Sequence, residues 1–145
     1  MNWTDLKPII KEKLETLSGN GQKIGQVIGK QTGDIETFPA VTITRGSLFS
    51  EPIANSDNKD TYAFTLFIHQ EAATIDEEDA EDIVAGVADD IKAAFDTDFN
   101  LGGAVDFCKP INTQNWGTYT GEHGVVVYCP MVIECTIETQ VLYGP

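Results

Sequence analysis

Residues 61–95 read TYAFTLFIHQEAATIDEEDAEDIVAGVADDIKAAF, and within them the apolar repeat changes its period. Over 61–70 the period is two: Tyr62, Phe64, Leu66 and Ile68 alternate with Ala63, Thr65, Phe67 and His69. Such alternation places the two sets on opposite sides of a pleated strand. From Ala80 the steps lengthen to three and four, through Val84, Val87, Ile91 and the Ala94–Phe95 pair. That spacing lays one apolar stripe along a helix ending near Phe95, with Asp89, Lys92 and Asp96 off the stripe. A strand followed by an amphipathic helix is one half of a sheet-and-helix layer.

The junction, HQEAATIDEEDAED at 69–82, carries His69 and seven carboxylates: Glu71, Asp76, Glu77, Glu78, Asp79, Glu81 and Asp82. A zinc site needs ligands at matched spacing, such as two histidines four apart on a helix. The other histidine, His123, stands in a Gly-flanked turn without a local ligand pattern. A calcium loop counted from Asp76 needs glycine at its sixth position, where Glu81 stands. A helix start explains the acids better. Thr74 and Glu77 have the form of a capping box, and Asp76 is an alternative cap. In either register the acids occupy the first turns, where the helix dipole favours them. No metal and no catalytic residue is assigned, and His69, on the face away from the apolar set, is expected to be partly exposed or at an interface.

Working outward, Leu6, Ile10, Leu14 and Leu17, with Ile9, predict a helix over about 4–17, with Thr4 as cap and Pro8 in or near its first turn. The segment GQKIGQVIGKQTGD spaces Gly21, Gly25, Gly29 and Gly33 at every fourth position. It fails both phosphate-binding patterns, since Lys30 is followed by Gln31 and Ile24 stands where a glycine is needed, so it is read as irregular. FPAVTIT at 38–44 predicts a strand. RGSLFSEPIANSDNKD at 45–60 reads as a long loop, and loops of that length in a compact domain are usually functional or disordered. AVDFCKPIN at 104–112 predicts a further strand, GEHG at 121–124 a turn, and VVVYCPMVIECTIET at 125–139 a long strand. Pro130 there suggests an edge position or a bulge. At ~3.3 Å per residue Cys129 and Cys135 lie about 20 Å apart along that strand and cannot bond to each other.

Helices segregated from mostly antiparallel strands predict an α+β fold: one domain, with a single mixed sheet of four or five strands packed on two helices. The 145 residues carry 9 basic and 23 acidic side chains, a net charge of −14 that disfavours gripping DNA or anionic lipid. Eleven acids fall within 70–98, whereas five lysines fall within 1–30, an asymmetry suited to head-to-tail contacts between identical subunits. The start, MNWTDLKPII, lacks an apolar run of signal length, and no stretch reaches the roughly 18 residues of a membrane span. Synthesis in a reducing cytoplasm is expected, with Cys108, Cys129 and Cys135 as small core residues.

The succession FPAVTIT, YAFTLFIHQE, EEDAEDIVAGVADDIKAAF and VVVYCPMVIECTIET, after an N-terminal amphipathic helix, resembles the tail-terminator (tail-completion) proteins of long-tailed bacteriophages and related neck components. The resemblance spans nearly the whole chain and rests on order and spacing. It implies a virion protein of the tail or neck, made in the host bacterial cytoplasm. Its subunits would form a ring, typically a hexamer, that caps the tail tube and joins it to the head. The partners implied are further copies of itself, the tail tube protein and a head-closure or neck protein. DNA would pass through the pore without specific binding, and neither cofactor nor membrane is involved. Candidate contact residues are Arg45, Leu48, Phe49, Glu51, Asn55 and Lys59 in the 45–60 segment, His69, and Gln140, Leu142 and Tyr143 in a C-terminal extension at 140–145. Glu77, Glu78, Glu81 and Asp82 are candidates for an acidic pore or contact surface. A head-closure component is the nearest alternative. A small metal-dependent enzyme or ligand-binding domain using His69 and the 71–82 carboxylates is the more distant one.

Overall fold

The computed structural model describes residues 2–18, 23–30, 35–54, 57–73 and 75–140, with backbone alone at 54, 109–112 and 140. Helix α1 (Trp3–Glu15) buries Leu6, Ile10 and Leu14. Its cap is Asn2, whose Oδ1 accepts the Asp5 amide at 3.0 Å, so the helix starts earlier than Thr4. Pro8 therefore falls in the second turn. It withholds the amide that the Thr4 carbonyl would accept, and because both residues are exposed, water can take its place. Helix α2 (Glu77–Thr97) buries Ala80, Val84, Val87, Ala88, Ile91 and Phe95. Asp76 is its cap, accepting the Asp79 amide at 2.8 Å; Thr74 lies outside the described residues.

The strands are β1 (Gln26–Ile28), β2 (Ala40–Ala54), β3 (Asp57–Glu71), β4 (Phe107–Thr113), β5 (Gly117–Gly121) and β6 (Gly124–Gln140). They form one curled mixed sheet in the order β1-β2-β3-β6-β4, with β5 following β4 along the same strand, β6. Among the described strand pairs only β1–β2 is parallel, and an isolated parallel bridge joins Ser18 to Ile24. The fold is the α+β class that the sequence predicts, with more strands. The additions are short: β1, inside the glycine-spaced segment read as irregular, and β5. Gly25 is needed where it stands, because a Cβ there would lie 2.6 Å from Thr37 Cγ2. The neighbouring Gln26 Oε1 accepts the Glu36 and Thr37 amides, closing that segment onto β1. Gly21 and Gly33 lie outside the described residues.

Register places Val41, Ile43, Tyr62, Phe64, Leu66, Ile68, Cys129, Met131, Ile133 and Cys135 on one side of the sheet, and both helices pack there. Helix α1 lies on β1 and β2, and α2 on β3, β4 and β6. Trp3 meets Tyr62 and Phe64 edge-on, each at a centroid distance of 5.0 Å.

The 45–60 loop is not a loop. Strands β2 and β3 run through it as an antiparallel hairpin paired from Leu48↔Tyr62 to Ala54↔Asp57, leaving 55–56 outside the described residues. Its Gly, Pro, Ser and Asp are turn signals by composition, yet Ser50, Pro52, Asp57 and Asp60 all take part in the pairing. Gly46 sits in a bulge between Arg45 and Leu48, where a Cβ would come 2.8 Å from the Ala63 carbonyl oxygen. Pro52 lies on a stretch of β2 whose outer edge meets no described strand, since β1 pairs only Ala40–Thr42, and an edge is where a sheet tolerates proline. Ser50 Oγ donates to Asp60 Oδ1 at 2.5 Å across the pair.

Strand β6 is interior, not an edge. Pro130 faces Phe67 of β3 on one side, and on the other its carbonyl accepts the Gln114 amide at 2.8 Å. A strand residue's N–H and C=O point the same way, so the missing donor of Pro130 faces the interval 114–116 where β4 gives way to β5. The irregularity expected of this proline is carried by its neighbour. Gln140 ends β6, and 141–145 lie outside the described residues.

Candidate interaction surface

Toward the β2–β3 hairpin end of the sheet, three strands continue side by side past the Trp3–Tyr62 contact, β2 over 48–54, β3 over 57–62 and β6 over 135–140, and β4 accompanies β6 only as far as Thr136. This tongue carries Leu48, Phe49 and Ile53 at 47%, 63% and 45% exposure, unusual for side chains of that size. Register divides them. Leu48 shares a face with Tyr62, whereas Phe49 shares the other with Thr61, Glu51, Lys59 and Glu134, which line a shallow cleft. The adjoining outer edge of β2 presents backbone groups to which another chain can pair.

Of the contact residues expected from sequence, Arg45, Leu48 and Phe49 are exposed on β2. Glu51 and Lys59 are cross-strand partners, half-buried, with the ammonium 3.9 Å from the carboxylate. Gln140 pairs with Asp57, while Asn55, Leu142 and Tyr143 lie outside the described residues. Sequence reading missed Ile53, and also Phe99 and Phe107, an exposed pair with ring centroids 6.2 Å apart beside β4. Ile53 was hidden by the loop assignment, which removed the alternation that would have singled it out.

Charge is divided over the same scaffold. Glu77, Glu78, Glu81 and Asp82 are all exposed at the start of α2. On α1, Lys7 is held below the usual lysine range by burial first, then by the Arg45 and Lys11 charges beside it. A basic cluster thus lies where α1 meets β2, and an acidic one on the other helix. Lys13–Asp98 at 3.2 Å and Lys23–Asp90 at 3.6 Å are surface ion pairs of small energetic weight.

His69 is buried, at 9% exposure, which corrects the expectation of a partly exposed side chain. It does point away from the helices, but β5 curls Tyr119 over it. Its Nδ1 lies 3.0 Å from the Tyr119 hydroxyl and its Nε2 3.1 Å from Thr42 Oγ1. At the start of β5, Gly117 leaves room for the ring of its cross-strand partner Tyr128, since a Cβ there would come within 2.6 Å of the Tyr128 hydroxyl. Burial lowers the imidazole pKa to about 4, so the ring is neutral near pH 7. A neutral ring has one donor and one acceptor nitrogen, and both are engaged by hydroxyls. Neither is spare to join the 71–82 carboxylates.

The cysteines are all buried. Cys108 of β4 stands directly opposite Cys135 of β6, with sulfurs 2.9 Å apart. Contact with Cys135 and burial both raise the Cys108 thiol well above the usual range, and burial raises Cys129 to about 11.

Open clefts lie between α1 and the Asp98–Gly102 turn, and between Ile35, Phe38, Glu71, Tyr119 and His123. Among the described residues, no group of three or more His, Cys, Asp or Glu is placed to hold a metal ion, and no helix is long and apolar enough to cross a membrane. No protein-family model matches the chain, and no curated protein matches it.

Proposed function

We propose that this protein is a ring-forming structural subunit of a bacteriophage neck or tail, which terminates the tail tube and joins it to the head. The hairpin end of the sheet carries the reading: apolar side chains stand exposed on paired strands beside an open backbone edge, a surface that gains from burial against another copy. The separation of basic and acidic clusters onto α1 and α2 supports a head-to-tail contact, in which unlike surfaces meet and rotation closes a ring. The net charge of −14 suits a pore that DNA traverses without adhesion. The chain's α+β architecture is compatible with the fold implied by the resemblance. A head-closure ring shares every one of these features and differs in its partner. The enzyme reading draws no support from His69, whose ring nitrogens are both occupied.

Light scattering of the purified protein and negative-stain images, alone and with isolated tail tubes, test the proposal. The expected outcome is a ring of tube-like diameter seated at one tube end. A monomer at micromolar concentration that stays monomeric in the presence of tubes overturns it.

A further inference from the structure

The geometry points to a disulfide site at Cys108 and Cys135: a low-molecular-weight disulfide such as oxidised glutathione closes the pair, tying β4 to β6 and leaving Cys129 as the free thiol. The two residues are direct partners in an antiparallel ladder. The Cys108 amide donates to the Phe99 carbonyl, turned away from β6, so theirs is a non-hydrogen-bonded pair. Such pairs hold Cα atoms about 4.5 Å apart, inside the window that a disulfide spans. Both side chains lie on the helix-facing side, both are fully buried, and their sulfurs already meet. Closure draws the sulfurs from 2.9 Å to a bond length of about 2.05 Å. Cys129 shares the β6 face but stands six residues earlier, with Sγ 3.6 Å from the Pro130 carbonyl oxygen.

One cysteine thiolate attacks a glutathione sulfur and releases the first glutathione. The second attacks the mixed disulfide at the protein sulfur and releases another. The protein loses two electrons and two protons, and the reagent is reduced to two thiols. Thiolate is scarce while Cys108 is buried, so access comes through opening of β4, an edge strand, or during folding itself.

The test uses the full-length reduced protein in graded glutathione redox buffers, once folded and once refolding from denaturant, followed by acid quench, alkylation in denaturant and peptide mass analysis. The expected product after refolding has lost the mass of two hydrogens, contains a linked Cys108–Cys135 peptide and is alkylated at Cys129. Its Tm rises by roughly 5–10 °C and falls back with dithiothreitol. A bond that forms only on refolding supports the site and identifies β4 opening as the barrier. Three alkylated thiols in both arms, a stable glutathione adduct at either cysteine, or a bond to Cys129 overturns it.

Discussion

His69 sits between two hydroxyls, and its burial couples stability to pH. The folded protein binds the proton at about 4, whereas an unfolded histidine binds it near 6.5. Between those values the unfolded chain holds more protons, so stability attributable to this site is full above pH 6.5 and drains away as pH falls toward 4. The full window is worth up to about 3 kcal/mol. Urea titrations of the protein and of His69→Gln, at steps from pH 7.5 to 4.5, should show the wild type losing stability relative to the variant as pH falls. Parallel pH curves would mean that the ring is accessible to protons in the folded state. The strand face of His69 was legible in the alternation of residues 61–70. Its burial was not, because the covering Tyr119 belongs to a strand fifty positions away.

At the level of elements, what was legible follows a simple physical division. Local repeats found α1, α2, β3 and β6, whose apolar spacing is strong and continuous. Local composition misled at 45–60, where cross-strand partners override turn chemistry: Ser50 with Asp60, Glu51 with Lys59, and a bulge that houses Gly46. That bulge can be tested directly. Gly46→Ala drives a methyl against the Ala63 carbonyl, a backbone atom that cannot swing aside, and should cost about 1–3 kcal/mol. Ser47→Ala beside it should stay within about 0.5 kcal/mol. Thermal unfolding distinguishes the two, and equal Tm values would show that the hairpin slides to relieve the clash. The candidate contact residues were legible as a segment but not as a surface, since only the register separates Leu48 from Phe49 onto opposite faces.

For the molecule as a whole, the tongue is predicted to be dispensable for folding and required for assembly. Leu48→Ser combined with Phe49→Ser alters exposed side chains, so circular dichroism and Tm should change little. On the proposed function, the wild type should elute as an oligomer and the double variant as a monomer. Raising NaCl to about 0.5 M should also loosen the wild-type oligomer if α1 meets α2 of a neighbour, because exposed charges are screened at that concentration. Retention of the oligomer by the double variant would move the interface elsewhere, with Phe99 and Phe107 the next surface to alter.

Strand β6 touches β3, β4 and β5, and so holds most of the sheet's ladder in one segment near the end of the sequence. A ribosome delivers it last among the described elements. Until it emerges, β3 has one flank open along fifteen residues, and the apolar face meant for the helices is only partly assembled. Local helix formation cannot stand in for that missing strand, because its contacts with β3 join residues 55 to 83 positions apart. The nascent chain is thus most adhesive just before β6 emerges, and chains emerging close together on one message could pair through the waiting edge of β3 before each receives its own β6.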